Sequence, residues 1–420
     1  NQSGVWTQIG QDIDGEAADD QSGFSLSLSS DGSILAIGAP FNDGNVLSSG
    51  HVRVYENQSG VWTQIGQDID GELGDTSGSS LSLSSDGTIL AVGATNNGDN
   101  GLNSGQVKIY ENINNVWMQI GQDINGESSS DQSGFSLSLS SDGSILAIGA
   151  PFNDGNGDSS GHVRVYENQS GVWTQIGQDI DGEAAFDQSG TRISLSSDGS
   201  ILAVGAPSND GNGNDSGHVR VYENQSGVWT QIGQDIDGEA AGDSFGRNLD
   251  LSSDGSILAI GAPFNNDNGS SSGQVKVYMN INNTWMQIGS DINGESSPNL
   301  FGISIKLSSD GSILAVGAPF NDGNGNRSGH VRVFDLSALL SLEEQNELVF
   351  GIFPNPTKDQ FTIQLDNSSD LLNIHIYNNL GQLVLTSKET TVDTSKLTSG
   401  LYMVEVETSR GKRVEKLIIE

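Results

Sequence analysis

Short hydrophobic patterns recur along most of the chain. FSLSLS (24–29) alternates apolar residues with serine, which is the period-two pattern of a half-buried β-strand. SILAIGA (33–39) is almost wholly apolar, as expected of a strand covered on both faces. HVRVY (51–55) and VWTQIG (61–66) alternate again. The pattern therefore predicts four strands per unit, and no segment of residues 1–335 has a convincing helical period.

Turn residues separate these predicted strands. Asp31-Gly32 follows the first strand, and glycine accepts the positive φ that a tight hairpin turn needs. Pro40 ends the second strand, because proline cannot donate a hydrogen bond to a sheet. The segment 57–60 joins the last two strands, and DIDGE (68–72) leads towards the next unit.

The same unit is repeated six times. Its tryptophans recur at intervals of 55 or 56 residues, at Trp6, Trp62, Trp117, Trp173, Trp229 and Trp285. Four strands in a unit of this length are typical of a β-propeller blade. A lone blade cannot bury both of its faces, so blades must stack around an axis. Residues 1–335 are therefore predicted to form an all-β propeller of four-stranded blades.

The two ends of the repeat array raise a question of closure. Residues 5–9 resemble a fourth strand with no blade before them, whereas 301–308, 312–318 and 330–334 form a last blade without a fourth strand. The first strand would complete the last blade, which gives a six-blade ring closed by a one-plus-three seam. The alternative is that upstream blades are missing, because the chain begins at Asn1 without a Met or a signal peptide.

Charge narrows the classes of partner. With 17 Lys+Arg against 54 Asp+Glu the net charge is −37, so nucleic acid and anionic membranes are poor candidates. Residues 351–420 carry 7 basic and 9 acidic side chains, so the acidity belongs to the propeller. The chain has no cysteine, which removes disulfides and thiolate chemistry, and no apolar run is long enough to span a membrane.

The repeats resemble FG-GAP repeats, the blades of integrin-α-like propellers, in their bacterial form. Phe245-Gly246 and Phe301-Gly302 precede a first strand, and Gly-Ala-Pro follows the second strand at 38–40, 149–151, 205–207, 261–263 and 317–319. Family blades often carry an acidic calcium cage between their first two strands. Here that loop is Ser-Ser-Asp-Gly with one carboxylate, whereas Ca²⁺ takes about six to eight oxygens. The family's metal site is therefore not expected at this loop.

After a linker (336–350), residues 351–420 form a second module. Five strand-like segments follow a Pro-Asn-Pro start. The module resembles the type A C-terminal sorting domain of type IX secretion cargo from the Bacteroidota, a small β-sandwich. The residues that carry this resemblance include Pro354, Asn355, Pro356, Gly381 and Gly400. It implies interaction with the type IX machinery, removal of the tail, and release or anchoring at the outer cell surface.

Two sets of loops offer oxygen ligands. In FNDGNGDSSG (152–161), Asp154, Asn156 and Asp158 imitate half of a calcium loop, but no bidentate Glu follows, which favours an Asn/Gly turn. The DIDGE loops alternate carboxylates, which can converge on a hard cation if the loop curls, so calcium is the single cofactor considered. The candidate ligands are Asp12, Asp14, Glu16, Asp68, Asp70, Glu72, Asp235, Asp237 and Glu239. The alternative is a blade-to-blade turn whose Asp and Gly satisfy local backbone groups, because Asn125 and Asn293 replace the middle acid in two repeats.

Other repeated side chains favour structural roles. Histidine occupies one strand position in four repeats (His51, His162, His218 and His330), and a catalytic base is needed once, not four times. The tryptophans could stack on sugars, but a repeated blade tryptophan more often packs between sheets. No Ser/His/Asp set, phosphate-binding loop or zinc signature is present, so no catalytic residue is assigned.

The leading hypothesis is a non-enzymatic binding or adhesion propeller, secreted or displayed at the cell surface, whose ligand is a glycan or a protein. Rings of similar loops suit multivalent contacts, because linked sites gain avidity. One alternative is an exported hydrolase that uses the central channel, where Arg192, Arg247 and Lys306 are the main departures from the repeat. The other alternative is a purely structural surface protein.

Overall fold

The computed structural model of the chain describes residues 7–344, 350–365, 371–378, 382–408 and 411–420. It divides into two units, Asn1–Asp335 and Leu336–Glu420. Strands dominate both units. The single helix among the described residues, α1 (Ser337–Glu344), lies in the segment predicted as a linker.

Each of the first five repeats forms one antiparallel sheet, here called a blade and numbered along the chain. Blade one contains β1 (Ser25–Leu28), β2 (Ile34–Ala39), β3 (His51–Gln58), β4 (Val61–Gln64) and β5 (Ile69–Asp70). Blade two contains β6 (Ser77–Leu83), β7 (Ile89–Ala94), β8 (Gln106–Asn112), β9 (Trp117–Gln119) and β10 (Ile124–Asn125). Blade three contains β11 (Ser136–Leu139), β12 (Ile145–Ala150), β13 (His162–Gln169), β14 (Val172–Gln175) and β15 (Ile180–Asp181).

The remaining blades repeat this plan. Blade four contains β16 (Arg192–Leu195), β17 (Ile201–Ala206), β18 (His218–Asn224), β19 (Trp229–Gln231) and β20 (Ile236–Asp237). Blade five contains β21 (Asn248–Leu251), β22 (Ile257–Ala262), β23 (Gln274–Ile281), β24 (Thr284–Gln287) and β25 (Ile292–Asn293). Blade six contains β26 (Ser304–Leu307), β27 (Ile313–Ala318) and β28 (His330–Asp335).

The outer edge of each complete blade differs from the four predicted strands. In blade one, β4 and β5 both pair with β3, at Tyr55↔Gln64 and at Val52↔Ile69. Gly66 lies between β4 and β5 and has a φ of +77°. The equivalent glycines of the other repeats have φ values of 70–78°. This left-handed residue bends the chain away from the sheet, and β5 then returns to it. The predicted fourth strand therefore corresponds to β4, and β5 is an additional short strand in the DIDGE segment that was predicted only to lead to the next unit.

Motif glycines let neighbouring blades approach each other closely. Gly149 of the Gly-Ala-Pro segment lies against the carbonyl of Gly190, which starts the first strand of the next blade. A side-chain carbon on Gly149 would collide with that carbonyl oxygen. Gly190 has a φ of +86°, which only glycine adopts readily. The two halves of the FG-GAP motif thus touch across each blade boundary.

A ladder of hydrogen bonds near the axis joins successive blades. The backbone N–H of a serine after each first strand donates to the carbonyl of its counterpart in the next blade, at 2.8–2.9 Å. The pairs are Ser30–Ser85, Ser85–Ser141, Ser141–Ser197, Ser197–Ser253 and Ser253–Ser309. Strand serines add further bonds, as in Leu195 N donating to Ser138 Oγ at 3.0 Å. The alternating serines of the sequence are therefore bonded across the blade boundaries.

Apolar side chains fill the space between consecutive blades. One cluster combines Val163 and Val165 of blade three with Leu202 and Val204 of blade four, and Trp229 closes it. All five side chains are buried. Burying such residues contributes about 1.5–3 kcal/mol each, so the boundaries are the main source of stability in this unit.

The predicted one-plus-three seam is not formed among the described residues. Val5 and Trp6 lie outside them, and Thr7–Ile9 form no strand, so blade six keeps the order β26-β27-β28. Val331 and Val333 of β28 are exposed, whereas their counterparts in blade three are fully buried. Leu26 and Leu28 of β1 are exposed at the other end. Both end blades thus keep an uncovered apolar face.

The C-terminal unit contains two sheets. The first has the order β29-β30-β33, from β29 (Phe350–Phe353), β30 (Gln360–Leu365) and β33 (Thr391–Asp393). The second has the order β32-β31-β34-β35, from β31 (Leu371–Tyr377), β32 (Leu383–Ser387), β34 (Gly400–Thr408) and β35 (Gly411–Ile419). Phe361, Ile376 and Val404 are fully buried in one core shared by both sheets.

Candidate functional site

The first strands of all six blades line a central cavity of about 650 Å³. Leucine and serine side chains form most of its wall, and Arg192, Asp250 and Lys306 also line it. Lys306 Nζ lies 2.7 Å from Asp250 Oδ1, and Leu307 N donates to Asp250 Oδ2 at 2.7 Å. The third predicted irregularity, Arg247, is not part of the wall. Both oxygens of the channel carboxylate are therefore engaged by neighbouring donors.

The carboxylate of each Ser-Asp-Gly turn is likewise engaged. Asp31 Oδ1 accepts hydrogen bonds from Ser29 Oγ, Ser33 N and Ser33 Oγ at 2.7–2.9 Å. The hydroxyl and amide of Ser33, followed by the hydroxyl of Ser29, lower the pKa of Asp31 to about 2. The single acid in this loop thus holds the hairpin turn together.

The predicted DIDGE ligands do not gather within their own loops. Asp12 accepts a hydrogen bond from Gln8 Nε2 at 2.9 Å, and the backbone carbonyl of Asp14 accepts one from Arg53 Nη2 at 2.8 Å. Glu16 instead reaches the next blade, where its ligand atom lies within 4.8 Å of those of His51 and Asp68. The structure therefore replaces the predicted single-loop cluster with one built across a blade boundary.

The same boundary cluster recurs along the chain. Glu127, His162 and Asp179 form it at blade three, and Glu183, His218 and Asp235 form it at blade four. Of the other predicted ligands, Asp70 and Asp237 pair in register with His51 and His218, and Glu72 binds Lys108. Glu239 joins a related group with Asp267 and Asp291 at blade five.

The cluster histidines are buried. Their side chains are only 2–4% exposed, and each Nδ1 lies 3.8–3.9 Å from a glutamate oxygen. Burial, reinforced by the charge of Arg164, lowers the pKa of His162 to about 4, and burial also lowers the pKa of His218. The sequence predicted structural roles for these histidines. It also contained a pattern that links them to the acids of their clusters. Histidine occurs in repeats followed by Asp-Ile-Asp, and glutamine in repeats followed by Asp-Ile-Asn.

The glutamine repeats build a second version of the boundary. Gln106 Nε2 donates to Asp99 Oδ2 and to Asn125 Oδ1, both at 2.9 Å. Gln274 repeats this with Asp267 Oδ2 at 3.0 Å. Lysine replaces arginine two residues later, at Lys108 and Lys276. Histidine boundaries therefore occur at blades one, three, four and six, and glutamine boundaries at blades two and five.

The tryptophans connect neighbouring blades, in agreement with the packing role that the sequence predicted for them. Trp117, Trp173, Trp229 and Trp285 are buried, Trp62 is half-buried, and Trp6 lies outside the described residues. Trp117 Nε1 donates to the carbonyl of Ile65 at 3.1 Å, and Trp229 Nε1 to that of Ile176 at 3.1 Å. The buried indoles offer no free face on which a sugar could stack.

In the tail, the Pro-Asn-Pro segment is attached to the last strand. Asn355 Nδ2 donates to the carbonyl of Lys416 at 2.7 Å, and Ile418 N donates to Asn355 Oδ1 at 2.9 Å. Pro354 and Pro356 flank it and are exposed. Gly400 begins β34, and Gly381 lies outside the described residues. The asparagine thus ties the start of the unit to its end.

Comparison with known families and proteins matches both units. Residues 236–278 match the FG-GAP repeat, and residues 351–420 match the secretion system C-terminal sorting domain. A stretch of 89 residues is 37% identical to the ulvan lyase NLR42 of Nonlabens ulvanivorans, covering 20% of this chain and 16% of that protein. The match therefore spans less than a fifth of the length of that relative.

Solved structures share the fold. Hydrazine synthase of Kuenenia stuttgartiensis superposes with a TM-score of 0.53 at 13% identity, covering 79% of this chain and 82% of that chain. The periplasmic gluconolactonase PpgL of Pseudomonas aeruginosa gives a TM-score of 0.48 at 16% identity, covering 94% and 88%. At such low identity the first likeness supports the propeller fold alone.

The sorting domain marks a protein that type IX secretion exports to the cell surface. In the described part of the chain, no helix has the length and apolar character needed to cross a membrane. The chain thus combines a β-propeller that contains an FG-GAP repeat at residues 236–278 with a C-terminal type IX sorting domain at residues 351–420.

Proposed function

We propose that the propeller is a non-enzymatic binding module, which the sorting domain delivers to the outer cell surface. Its ligand surface is the loop face, defined here as the loops between second and third strands together with the segments that enter each blade. Leu47 and Leu73, both on this face, are 68% and 70% exposed. Gly74 N donates to the carbonyl of Leu47 at 3.1 Å, so the two leucines are neighbours across the boundary of blades one and two.

The exposed leucines are the observation that carries the proposal. Large apolar side chains displayed in a strongly acidic surface mark an interaction site. Leu102 and Phe186 are exposed in the same loops at the next two boundaries. Ser130 N donates to the carbonyl of Leu102 at 2.8 Å, and Phe186 N to that of Asp158 at 2.7 Å. Apolar side chains surrounded by carboxylates suit a protein surface that is apolar and basic.

Two further features favour binding over catalysis and protein over glycan. The channel carboxylate of Asp250 is held by Lys306 and by a backbone amide, so it is not free to act as a general base. Four of the six tryptophans that could stack on sugars, Trp117, Trp173, Trp229 and Trp285, are buried between blades. The similarity to an ulvan lyase covers only 16% of that enzyme, so it transfers no activity to this chain.

The test uses the labelled full chain and an immobilised panel of extracellular proteins and polysaccharides. We expect saturable binding to proteins, and we expect the double variant Leu47→Ser/Leu73→Ser to bind at least roughly tenfold more weakly, since interface anchors cost about 1.4 kcal/mol or more. Val172→Ser, an exposed position on an outer strand, is the matched control and should bind normally. Binding that survives the double variant, or depolymerisation of a polysaccharide, would contradict the proposal.

A further inference from the structure

We propose that two blade boundaries bind a first-row transition-metal ion of the Zn²⁺ class, each through one imidazole and two carboxylates. The ligand sets are Glu16, His51 and Asp68 at blade one, and Glu127, His162 and Asp179 at blade three. An imidazole nitrogen with carboxylate oxygens suits zinc and its neighbours, whereas Ca²⁺ takes about six to eight oxygens. The inference does not depend on the ligand of the loop face.

The spacing of the ligand atoms is close to what such an ion requires. His51 Nδ1 lies 3.8 Å from Glu16 Oε2, and His162 Nδ1 lies 3.9 Å from Glu127 Oε2. Bonds of about 2.0–2.2 Å to a tetrahedral ion place ligand atoms roughly 3.5 Å apart. The glutamates are 44–45% exposed, so a small side-chain rotation would complete each site.

The histidines point to a ligand independently of the acids. Their side chains are 97–98% buried, given exposures of 3% for His51 and 2% for His162. Among the described residues, neither imidazole makes a hydrogen bond, and each Nδ1 lies 3.8–3.9 Å from a glutamate oxygen. A metal ion would provide these buried side chains with a partner.

Neighbouring donors fix the carboxylates and leave one oxygen of each available. At blade one, Gln64 Nε2 donates to Asp68 Oδ1 at 2.6 Å, and Arg53 Nη1 lies 3.6 Å from Glu16 Oε1. Arg53 also donates a hydrogen bond to the Asp14 carbonyl, and its guanidinium lies over the ring of Tyr55, 5.7 Å from the ring centroid. Such outer contacts orient metal ligands and are typical of binding sites.

Blade three repeats this arrangement. Gln175 Nε2 donates to Asp179 Oδ1 at 2.6 Å, and Arg164 Nη2 donates to the carbonyl of Asn125 at 2.8 Å. Arg164 lies over the ring of Tyr166 at 5.7 Å. Arg164 Nη1 also lies 3.5 Å from Glu127 Oε1, so each arginine pairs with the glutamate of its ligand set and, among the described residues, not with the aspartate.

The other boundaries have a positive group in place of the ion. At blade four, Arg220 binds both oxygens of Asp235, at 3.1 and 3.2 Å, and also pairs with Glu183. At blade five, the amide of Gln274 and the ammonium of Lys276 face the acids. The chain thus contains its own comparison between boundaries whose protein cation pairs with both carboxylates and two boundaries whose arginine pairs with the glutamate alone.

The test is a Co²⁺ titration of the metal-stripped full chain, followed by visible absorption and then by Zn²⁺ competition. We expect about two Co²⁺ per chain with a spectrum of mixed nitrogen and oxygen ligation, displaced by Zn²⁺ but not by excess Ca²⁺. His51→Gln and His162→Gln should each remove one of them, and the double variant should remove both. Glutamine occupies this position in blades two and five, so these variants preserve a side chain that the fold accepts.

His330→Gln is the matched control, because the chain leaves the propeller at Asp335 before the third ligand could follow, and it should retain both ions. Glu16→Gln and Glu127→Gln test the same sites with the buried imidazoles intact, and each should also remove one ion. The proposal is overturned if Co²⁺ keeps the spectrum of the aqueous ion, if the double histidine variant binds as many ions as the wild type, or if Ca²⁺ displaces them.

Discussion

At the residue scale, the aspartates of the propeller differ in what holds their oxygens. In the Ser-Asp-Gly turns, serine hydroxyls and a backbone amide hold the carboxylate, as for Asp31 and Asp310. At the blade boundaries of blades one and three, Asp68 and Asp179 are each held through one oxygen by a glutamine. Aspartates of similar appearance in the sequence therefore hold hairpin turns in one place and lie at blade boundaries in another.

The turn aspartates predict an acid-sensitive fold. Hydrogen bonds from the following serine, and from the preceding one, lower the pKa of Asp31 from 3.8 to about 2, and those of Ser308 and Ser312 do the same for Asp310. The unfolded chain therefore binds protons before the folded chain does, and the stability that these groups contribute above about pH 4 is lost as the pH falls towards 2. Urea unfolding between about pH 5 and pH 2.5 should show this decline.

The matched variants for this prediction are Asp31→Asn and Asp310→Asn. Asparagine keeps the acceptor oxygen but cannot titrate, so the decline with falling pH should be shallower than in the wild type. A double variant with the slope of the wild type would show that these turns do not contribute to acid sensitivity.

The boundary clusters show why the sequence could not fully predict the site. The acids Glu16 and Asp68 are visible in the sequence, but their separation into different loops suggests two sites. Only the stacking of blades brings Glu16 beside His51, since each loop ends on the next blade. The coupling of histidine with Asp-Ile-Asp and of glutamine with Asp-Ile-Asn was the available clue.

At the element scale, close backbone contact explains the glycines of the repeat. Gly149 has no positive φ to justify it, yet the carbonyl of Gly190 occupies the space that a side chain would need. Gly317 is its counterpart in blade six, where only the flexible Ser304 hydroxyl of the same blade is near. The same motif residue therefore contacts the backbone of the next blade at Gly149 and has no such contact at Gly317.

This pair gives a direct test of the boundary contact. Gly149→Ala should lower the free energy of unfolding by about 1–3 kcal/mol, because the added methyl must displace backbone. Gly317→Ala should cost much less, since a serine rotation relieves the contact. Thermal and urea unfolding of both variants would measure the difference. Equal losses in the two variants would show that the glycine serves its own strand rather than the boundary.

Strands were predictable from the sequence where local pattern determines them. β1, β2 and β3 follow the alternating and continuous apolar runs, because each such run matches a face or both faces of a blade. The short strand β5 in the DIDGE segment was missed, since it is only two residues long and has no pattern of its own. Helix α1, eight residues in the linker, was also too short to show a period.

At the scale of the whole molecule, the described strands of each blade pack mainly against the blades next to it in sequence. The serine ladder runs from Ser30 to Ser309, and among the described residues it does not return to its start. Blades three and four are covered on both sides, whereas β1 and β28 expose leucines and valines. In such an array, stability is a sum of blade terms and boundary terms, so the end blades have one boundary fewer.

Hydrogen exchange should therefore be graded along the array. We expect amides of β12 and β17, in the middle blades, to exchange most slowly, and amides of β27 in blade six to exchange fastest among the equivalent second strands. Mass spectrometry of peptides specific to each blade, from the full chain, would measure this. Uniform protection of all six second strands would mean that the array opens as one unit.

The two kinds of blade boundary also carry a record of descent. Their order along the chain is histidine, glutamine, histidine, and then the same three again. The glutamine blades share the turn Asn-Ile-Asn-Asn and the Lys that follows glutamine, which the histidine blades lack. A history of single-blade copying gives no reason for this period of three. Duplication of a three-blade segment as one block would produce this order.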